Sequence, residues 1–484
     1  MKHLYLLLLL ICSVPAMAQV KVTQGNNSPI FTVPNQPAFK SYSTTAANYF
    51  IISHTESFEN INQMVVADKN GTIIGSNDVR LNMGVFNNNY SVKNLLVLGD
   101  KPMVFVENHN KATLKNTFSA RLVDDNGKIA TNETVIGAID MIKMNNPGDW
   151  WVALTPDHKH LVALNKAPHQ KNTPDQFTYI LLDENLKETG KGQFSFAGFT
   201  KEINFKDFLA SDKGDLYLVA EEYDQSYTMP VIYKYSVNGQ ATILPVLLPD
   251  PKLRSLSFTY KVGPDGDLIF AGYTQKKATF SVGEEAVGTY LFSSARPSEP
   301  KIYAFDKPHA NMVARDIVFN GDTFYLVGEQ YKAVEDRSAK SANILAASRM
   351  DNVYEYSHND IGITGFSTSF NKKFDTFMNR KWSAKGNRDA DLMVASGVIN
   401  NKLALIYNDE YGKYIDDKFR RFTKLPVAVL ITNDGLTETP VQFAKQLDVT
   451  TSSYILFPQF FNNSDGKMAL LSTNAQSVKT VTFQ

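Results

Sequence analysis

The sequence predicts an all-β fold, and three observations indicate it. Short apolar runs rich in β-branched and aromatic residues recur along the 484 residues, separated by small polar turns. Amphipathic helical periodicity is nearly absent. The turns recur at a spacing close to 55 residues over most of the chain. A fixed period of this length is typical of architectures that repeat one supersecondary unit.

The turns that mark this period carry an aspartate or asparagine between two apolar runs. They fall at Asp100, Asp157, Asp212, Asp265, Asn320, Asn400 and Asp465. The clearest unit spans residues 204–250. Four strands are predicted in it, at residues 205–210, 216–220, 231–236 and 241–247. Asn238-Gly239 lies between the last two runs and is a strong hairpin signal.

Four antiparallel strands repeated at this spacing predict a β-propeller, because radial repetition protects the sheet edges. We expect eight four-stranded blades, with seven as the alternative if the two chain ends share one blade. Only three strands are predicted after residue 453. An N-terminal strand at residues 29–33 is therefore expected to join the C-terminal blade and close the ring.

Composition allows a large core and narrows the function. Hydrophobic residues make up 43% of the chain, which excludes long-range disorder. Lysine plus arginine and aspartate plus glutamate each number 49. This balance argues against nucleic acid as a partner, since such binders carry a basic excess.

Residues 1–18 are typical of a signal peptide. A short basic start precedes the apolar run of residues 4–11, and Ala16-Met17-Ala18 fits a cleavage site. The single cysteine, Cys12, would leave with this segment, so no disulfide is expected. We therefore predict one propeller domain over residues 19–484, exported to the periplasm or the cell surface. No other segment is long and apolar enough to cross a membrane.

The predicted loops differ between the two faces of the ring. Connections between first and second strands are short, whereas several between second and third strands are long, including a rim insertion at residues 332–359. Because rigid scaffolds often display function on loops, the long-loop side is the predicted functional face. The alternative is that long surface loops are merely tolerated.

Polar residues recur where second strands are predicted to end. Carboxylates and amides beside tyrosines suit sugar hydroxyls or a hard cation, since oxygen ligands match both, although strand ends also need polar residues to leave the core. No metal, phosphate-loop or dinucleotide motif is found, so neither a metal site nor a cofactor is predicted. The candidate ligand-binding residues are Glu221, Glu329, Tyr331, Tyr354, Tyr356, His358, Asn359 and Asp409.

One segment carries a resemblance. Tyr325-Leu326-Val327-Gly328-Glu329-Gln330-Tyr331, an insertion ending at residues 354–361, and Lys381-Trp382 resemble secreted propeller-like proteins of Bacteroidetes-type bacteria. That family is largely uncharacterised. The resemblance implies an envelope or secreted location and no particular activity.

The sequence thus favours a monomeric binding or scaffold module of the cell envelope. Its ligand would be a glycan or a protein partner held on the long-loop face. The alternative is a polysaccharide-active hydrolase or lyase with carboxylates in the central funnel. A purely structural envelope component is a third possibility.

Overall fold

The computed structural model contains only β-strands as regular secondary structure in the part of the chain it describes. The described residues are 22–24, 28–29, 38–54, 62–68, 72–79, 88–224, 227–236, 239–277, 284–335, 354–385, 394–410, 424–442, 455–464, 467–474 and 477–483. The predicted all-β class is confirmed for these residues.

The chain begins with two short strands, β1 (Val22–Gln24) and β2 (Ser28–Pro29). Four blades of consecutive strands follow. Blade 1 comprises β3 (Ala38–Thr44), β4 (Asn48–His54), β5 (Asn62–Asp68) and β6 (Ile73–Val79); blade 2 comprises β7 (Asn88–Leu98), β8 (Lys101–Asn110), β9 (Lys115–Leu122) and β10 (Thr134–Asp140); blade 3 comprises β11 (Asp149–Leu154), β12 (Leu161–Lys166), β13 (Phe177–Leu182) and β14 (Glu188–Phe194); blade 4 comprises β15 (Phe205–Ala210), β16 (Leu216–Asp224), β17 (Tyr227–Tyr235) and β18 (Ala241–Pro245).

Three further blades and a composite sheet complete the fold. Blade 5 comprises β19 (Leu253–Val262), β20 (Leu268–Lys276), β21 (Glu285–Ser293) and β22 (Lys301–Ala310); blade 6 comprises β23 (Met312–Asn320), β24 (Thr323–Glu335), β25 (Tyr354–Ser367) and β26 (Lys372–Met378), with β27 (Trp382–Lys385) paired to β25; blade 7 comprises β28 (Ala395–Ile399), β29 (Lys402–Glu410), β30 (Lys424–Ile431) and β31 (Val441–Gln442). The composite sheet contains β32 (Ile455–Ser464), β33 (Lys467–Asn474) and β34 (Ser477–Phe483) together with β1 and β2.

Every blade is an antiparallel meander, and the first strands of successive blades approach one another. Contacts run from β3 to β7, from β7 to β11 and from β11 to β15, then from β19 through β23 and β28 to β32, and from β32 back to β3. Blades 4 and 5 are joined by a shared apolar cluster. The sheets therefore form a ring with their first strands innermost. This arrangement is a β-propeller, as the period predicted.

The second strand of each well-described blade is buried on both sides. In β12, Leu161 and Ala163 pack against blade 2, while Val162 and Leu164 pack against blade 4. Alternate residues of β8, β16, β20 and β24 divide between neighbouring blades in the same way. Since successive side chains point to opposite faces of a strand, a continuous apolar run is what such a strand requires.

The N-terminal strands complete the composite sheet. β1 pairs antiparallel with β34, Val22 opposite Phe483, and β2 pairs with the start of β34. Of the predicted 29–33, Pro29 pairs with Ser477, while residues 30–33 lie outside the described residues; the other paired positions lie before the predicted range.

These pairings lead to a prediction about the role of the N terminus. A chain that begins at residue 30 leaves the backbone groups along one edge of β34 without β1 and β2. We expect its thermal unfolding temperature to fall by several degrees and its tendency to aggregate to rise, relative to a chain that begins at residue 22. Equal melting curves for the two chains would show that these strands do not hold the ring.

A second prediction concerns the close approach of strands at Gly272 in β20. A methyl group there would lie 2.2 Å from the Ser257 carbonyl oxygen of β19, whereas at Gly190 the nearest atom would be 3.7 Å away. We expect Gly272→Ala to lower the free energy of unfolding by about 1–3 kcal/mol, because β19 must shift. Gly190→Ala is the matched control and should change it by less than about 0.5 kcal/mol. Chemical denaturation measures both, and equal effects would contradict the prediction.

Candidate functional site

A β-bulge recurs in the innermost strands. In five blades the register between first and second strands shifts by one residue at an equivalent place. A bulge inserts one unpaired residue and redirects its side chain. The inserted residues are Lys40, Lys93, Lys206, Leu256 and Arg315.

Three of these inserted cations meet a glutamate near the end of the second strand of the same blade. Lys93 Nζ lies 2.6 Å from Glu107 Oε2, and Lys206 contacts Glu221. In blade 6, Arg315 Nε donates to Glu329 Oε1 at 2.6 Å. The carboxylates that recur along the sequence are therefore paired with cations from the innermost strand.

Blade 3 has no bulge of this kind, and its charges are reversed. Lys166 ends the second strand, and its ammonium is 3.9 Å from Asp149 of the innermost strand and 3.0 Å from Glu202. Burial raises the pKa of Asp149, with Lys166 opposing the shift. Blade 3 therefore also has an ion pair at this end, with the base on the second strand and the acid on the first.

Blade 6 holds the most enclosed of these groups among the described residues. Glu329 is fully buried, and besides Arg315 it contacts Arg380 Nη1 and His358 Nδ1, each at 3.0 Å from Oε2. Burial alone would raise the pKa of this carboxyl. The hydrogen bond with His358 and the electrostatic interactions with His358, Arg315 and Arg380 outweigh that effect and lower the pKa to about 2.

The same group extends into blade 7. Arg380, also buried, donates from Nε to the Asn408 carbonyl oxygen at 3.2 Å and lies over the ring of Tyr407. Burial lowers the pKa of Arg380, while the charges of Glu329 and Asp409 oppose that shift. We call Arg315, Glu329, His358 and Arg380 the buried ion cluster.

Two strands of blade 6 are longer than the others and continue past this cluster. Residues 331–335 of β24 pair with residues 354–358 of β25, and β27 adds a third strand along the other edge of β25. We call these three segments, 331–335, 354–358 and 382–385, the arm. The predicted rim insertion at 332–359 is therefore strand at both of its ends, and residues 336–353 lie outside the described residues.

One face of the arm is aromatic. Residues 354, 356 and 358 share a face of β25, and Tyr331 lies opposite His358 on β24. The Tyr331 and Tyr356 rings are stacked with centroids 6.4 Å apart, and Tyr354 lies 6.0 Å from Tyr356. Tyr331 also meets the His358 ring edge-on at 4.9 Å. The three tyrosines are half-buried, so part of each remains exposed to solvent.

Arg315 connects the tyrosine face to the buried ion cluster. Its guanidinium carbon lies 5.2 Å from the centre of the Tyr331 ring while its Nε holds Glu329. Such a cation–π contact fixes the ring from below. The arm is thus seated on charges that are neutralised inside the blade.

The structure brings together most of the candidate residues. Glu329, Tyr331, Tyr354, Tyr356 and His358 lie in one sheet, and the buried Asp409 of blade 7 acts on the cluster through Arg380. Asn359 is half-buried at a register shift in β25. Glu221 belongs to blade 4 and pairs there with Lys206, apart from the others.

Sequence reasoning missed Arg315 and Arg380. A signal for Arg315 exists, because a lysine or arginine followed by Asn or Asp precedes the glutamate by 14 or 15 residues in blades 2, 4 and 6. The pairs are Lys93-Asn94, Lys206-Asp207 and Arg315-Asp316. Arg380 follows β26 in a connection and carries no sequence signal of its own.

Comparison with solved structures finds matches at low similarity, one of which is a β-propeller domain. The polysaccharide lyase Uly1 is 12% identical with a TM-score of 0.35, covering 97% of this chain and 95% of that one. The β-propeller domain of the trilobed protease from Pyrococcus furiosus is 10% identical with a TM-score of 0.34, covering 83% and 95%. The Penicillium chrysogenum α-L-arabinanase is 11% identical with a TM-score of 0.35, covering 63% and 94%.

No family model matches the chain, and no curated protein does. The resemblance to secreted propeller-like proteins therefore stays a prediction. The described part of the chain contains no helix with the length and apolarity that a membrane crossing needs.

The buried ion cluster yields a prediction about acid stability. The pKa of Glu329 is lower in the folded state than its ordinary 4.5, so its stabilising effect is present above pH 4.5 and is lost as pH falls toward about 2. Glu329→Gln should destabilise the protein at pH 7 by about 3–5 kcal/mol, because it leaves buried cations without a carboxylate. It should also flatten the dependence of stability on pH between 4.5 and 2.

The control is Asp140→Asn, which breaks the exposed ion pair with Lys115. We expect a change below about 1 kcal/mol there. Denaturant unfolding at a series of pH values measures both variants. A wild-type acid dependence that Glu329→Gln leaves intact would contradict the assignment.

Proposed function

We propose that this protein is an exported β-propeller that binds a glycan on the aromatic face of the arm. The observation that carries the proposal is the row of Tyr331, Tyr356 and Tyr354 along one face of the arm. Half-exposed aromatic rings of this kind offer flat apolar area with polar tips, which suits the faces and hydroxyls of sugar rings.

Rigidity supports a binding role for this face. The tyrosines sit on paired strands, and Tyr331 rests on Arg315, which is held by the buried Glu329. A preformed surface loses little conformational entropy when a ligand binds. His358 and Arg380 tie the base of the arm to the same carboxylate.

The state of the strand-end carboxylates favours binding over catalysis. Glu107, Glu221 and Glu329 each contact a cation. Hydrogen bonds and nearby charges, led by His109 at Glu107 and by His358 at Glu329, outweigh burial and lower the pKa of both carboxyl groups. A glycoside hydrolase needs one carboxyl group that stays protonated as the acid. None of these three glutamates suits that role, so a hydrolase would need another carboxyl group, such as Asp149 or Asp207, whose pKa burial raises. A hydrolase or lyase is the alternative function, and product formation during binding experiments would favour it.

Location and assembly belong to the same proposal. Residues 1–18 would direct export, and the domain of residues 19–484 would act as a monomer at the periplasmic or outer surface of the envelope. A protein partner on the same aromatic face is the other ligand class that the arm suits, since tyrosine is enriched at protein interfaces.

The test is a glycan-array measurement with residues 19–484 and two variants of the arm. Tyr354→Ala combined with Tyr356→Ala should weaken binding about tenfold or more, since each ring contact is worth roughly 0.5–1.5 kcal/mol. Val334→Ala is the matched control, because Val334 is exposed on the opposite face of the same strands. It should leave the affinity unchanged.

Circular dichroism establishes that each variant is folded. Binding lost equally in both variants would mean that the tyrosine face has no particular role. If the wild-type chain binds no glycan, the glycan proposal fails and the arm is tested against envelope proteins.

A further inference from the structure

A second concave site lies between blades 4 and 5. Its volume is about 570 Å³, and its polar walls are formed by Lys206, Glu221, Arg254, Gln275 and Glu284. Arg254 lies near the start of β19, Gln275 near the end of β20, and Glu284 immediately before β21. The cavity therefore opens on the same face of the ring as the arm. Its size is within the range of small-molecule sites.

Some charged groups in this cavity are paired with each other, whereas Arg254 is not paired with a described residue. Lys206 and Glu221 contact each other and neutralise one another locally. Arg254 is half-buried, and its Nε is enclosed without any described residue to accept its hydrogen bond. A buried donor without an acceptor is costly unless a ligand or water supplies one. Guanidinium groups bind carboxylates in a two-point geometry, so Arg254 is suited to a carboxylate ligand.

The remaining walls suit a polyhydroxylated ring. Phe258 and Tyr260 supply aromatic surface, and the hydroxyl of Tyr260 is engaged by Asp207. Gln275 and the exposed Glu284 offer an amide and a carboxylate to hydroxyl groups. An apolar wall with a few convergent polar groups is how sites recognise one face of a small ligand.

We propose that this cavity binds a hexuronic acid, with the sugar carboxylate on Arg254 and hydroxyl groups on Gln275 and Glu284. The sugar is either free or a residue of a glycan. The site uses none of the residues of the arm, and the inference therefore stands independently of the function proposed above.

Calorimetric titration of residues 19–484 with glucuronic and galacturonic acid tests the proposal. We expect binding of at least one acid, and an affinity about tenfold or more weaker in Arg254→Gln, because the paired contact to the carboxylate is lost. Arg296→Gln is the matched control, since Arg296 is exposed and lines a different cavity on the opposite face. The variant with Tyr354→Ala and Tyr356→Ala should bind as the wild type does.

A second measurement changes the ligand instead of the protein, so that it does not depend on whether Arg254→Gln folds. The methyl ester of the same uronic acid, and the neutral sugar, should bind the wild-type chain at least tenfold more weakly than the free acid. Titration with a short uronic-acid oligosaccharide separates the two sources: binding of the oligosaccharide alone, lost in Arg254→Gln, assigns the site to a glycan residue.

Two results would overturn the proposal. One is the absence of binding by both acids and by the oligosaccharide. The other is equal affinity for acid and ester, or an affinity unchanged in a folded Arg254→Gln variant.

Discussion

Contact between neighbouring second strands is the interaction on which the ring depends. The only cysteine is Cys12, so beyond this position no disulfide can hold the blades together. In blades 2 to 6 the second strand instead packs one set of alternate residues against the blade before it and the other set against the blade after it. A fully buried aliphatic side chain contributes roughly 1.5–3 kcal/mol, and several from every blade take part. Loss of one blade would expose both of its neighbours.

Packing of this kind leaves little room for polar groups in the middle of a blade and confines them to strand ends. The innermost strand meets this limit with a bulge, which directs a cation toward the end of the second strand. There it meets a glutamate that is buried or half-buried. The glutamates that recur at the predicted ends of second strands therefore take part in internal ion pairs. Binding groups on this face must come from what projects beyond the pairs or lies between them.

The features that sequence could predict are those encoded over a few residues. The four strands of blade 4 are found close to their predicted ranges, and β15 has the predicted bounds. Hairpin turns, and apolar strands that are buried on both faces, each have a clear local sequence pattern. The structure has seven blades of consecutive strands and one composite sheet with strands from both chain ends. The prediction allowed seven or eight blades.

The features that sequence missed depend on tertiary neighbours. Residues 332–335 and 354–359 are predicted as part of an insertion because they mix polar and apolar residues. In the structure, 332–335 form the end of β24 and 354–359 form the start of β25. Arg380 is recognisable as part of the cluster only when its connection folds back over Glu329. Tyr354 and Tyr356 share a face because they are two residues apart in one strand, whereas Tyr331 joins that face through a strand pairing that no local pattern specifies.

The composition of the buried ion cluster explains why blade 6 carries the arm. Arg315 comes from the first strand, Glu329 from the second, His358 from the third and Arg380 from the connection after the fourth, so one carboxylate links every layer of the blade. Burying charges brings little net stability, but it permits only the geometry in which all are paired. Arg380 extends this constraint to the Asn408 backbone of blade 7. Strands that leave the ring at such a point keep a defined direction, and β27 of the arm also lies against β29 of blade 7. The cluster therefore fixes the base of the tyrosine face, because Tyr331 rests on Arg315 and lies opposite His358, and both Arg315 and His358 contact the same buried carboxylate.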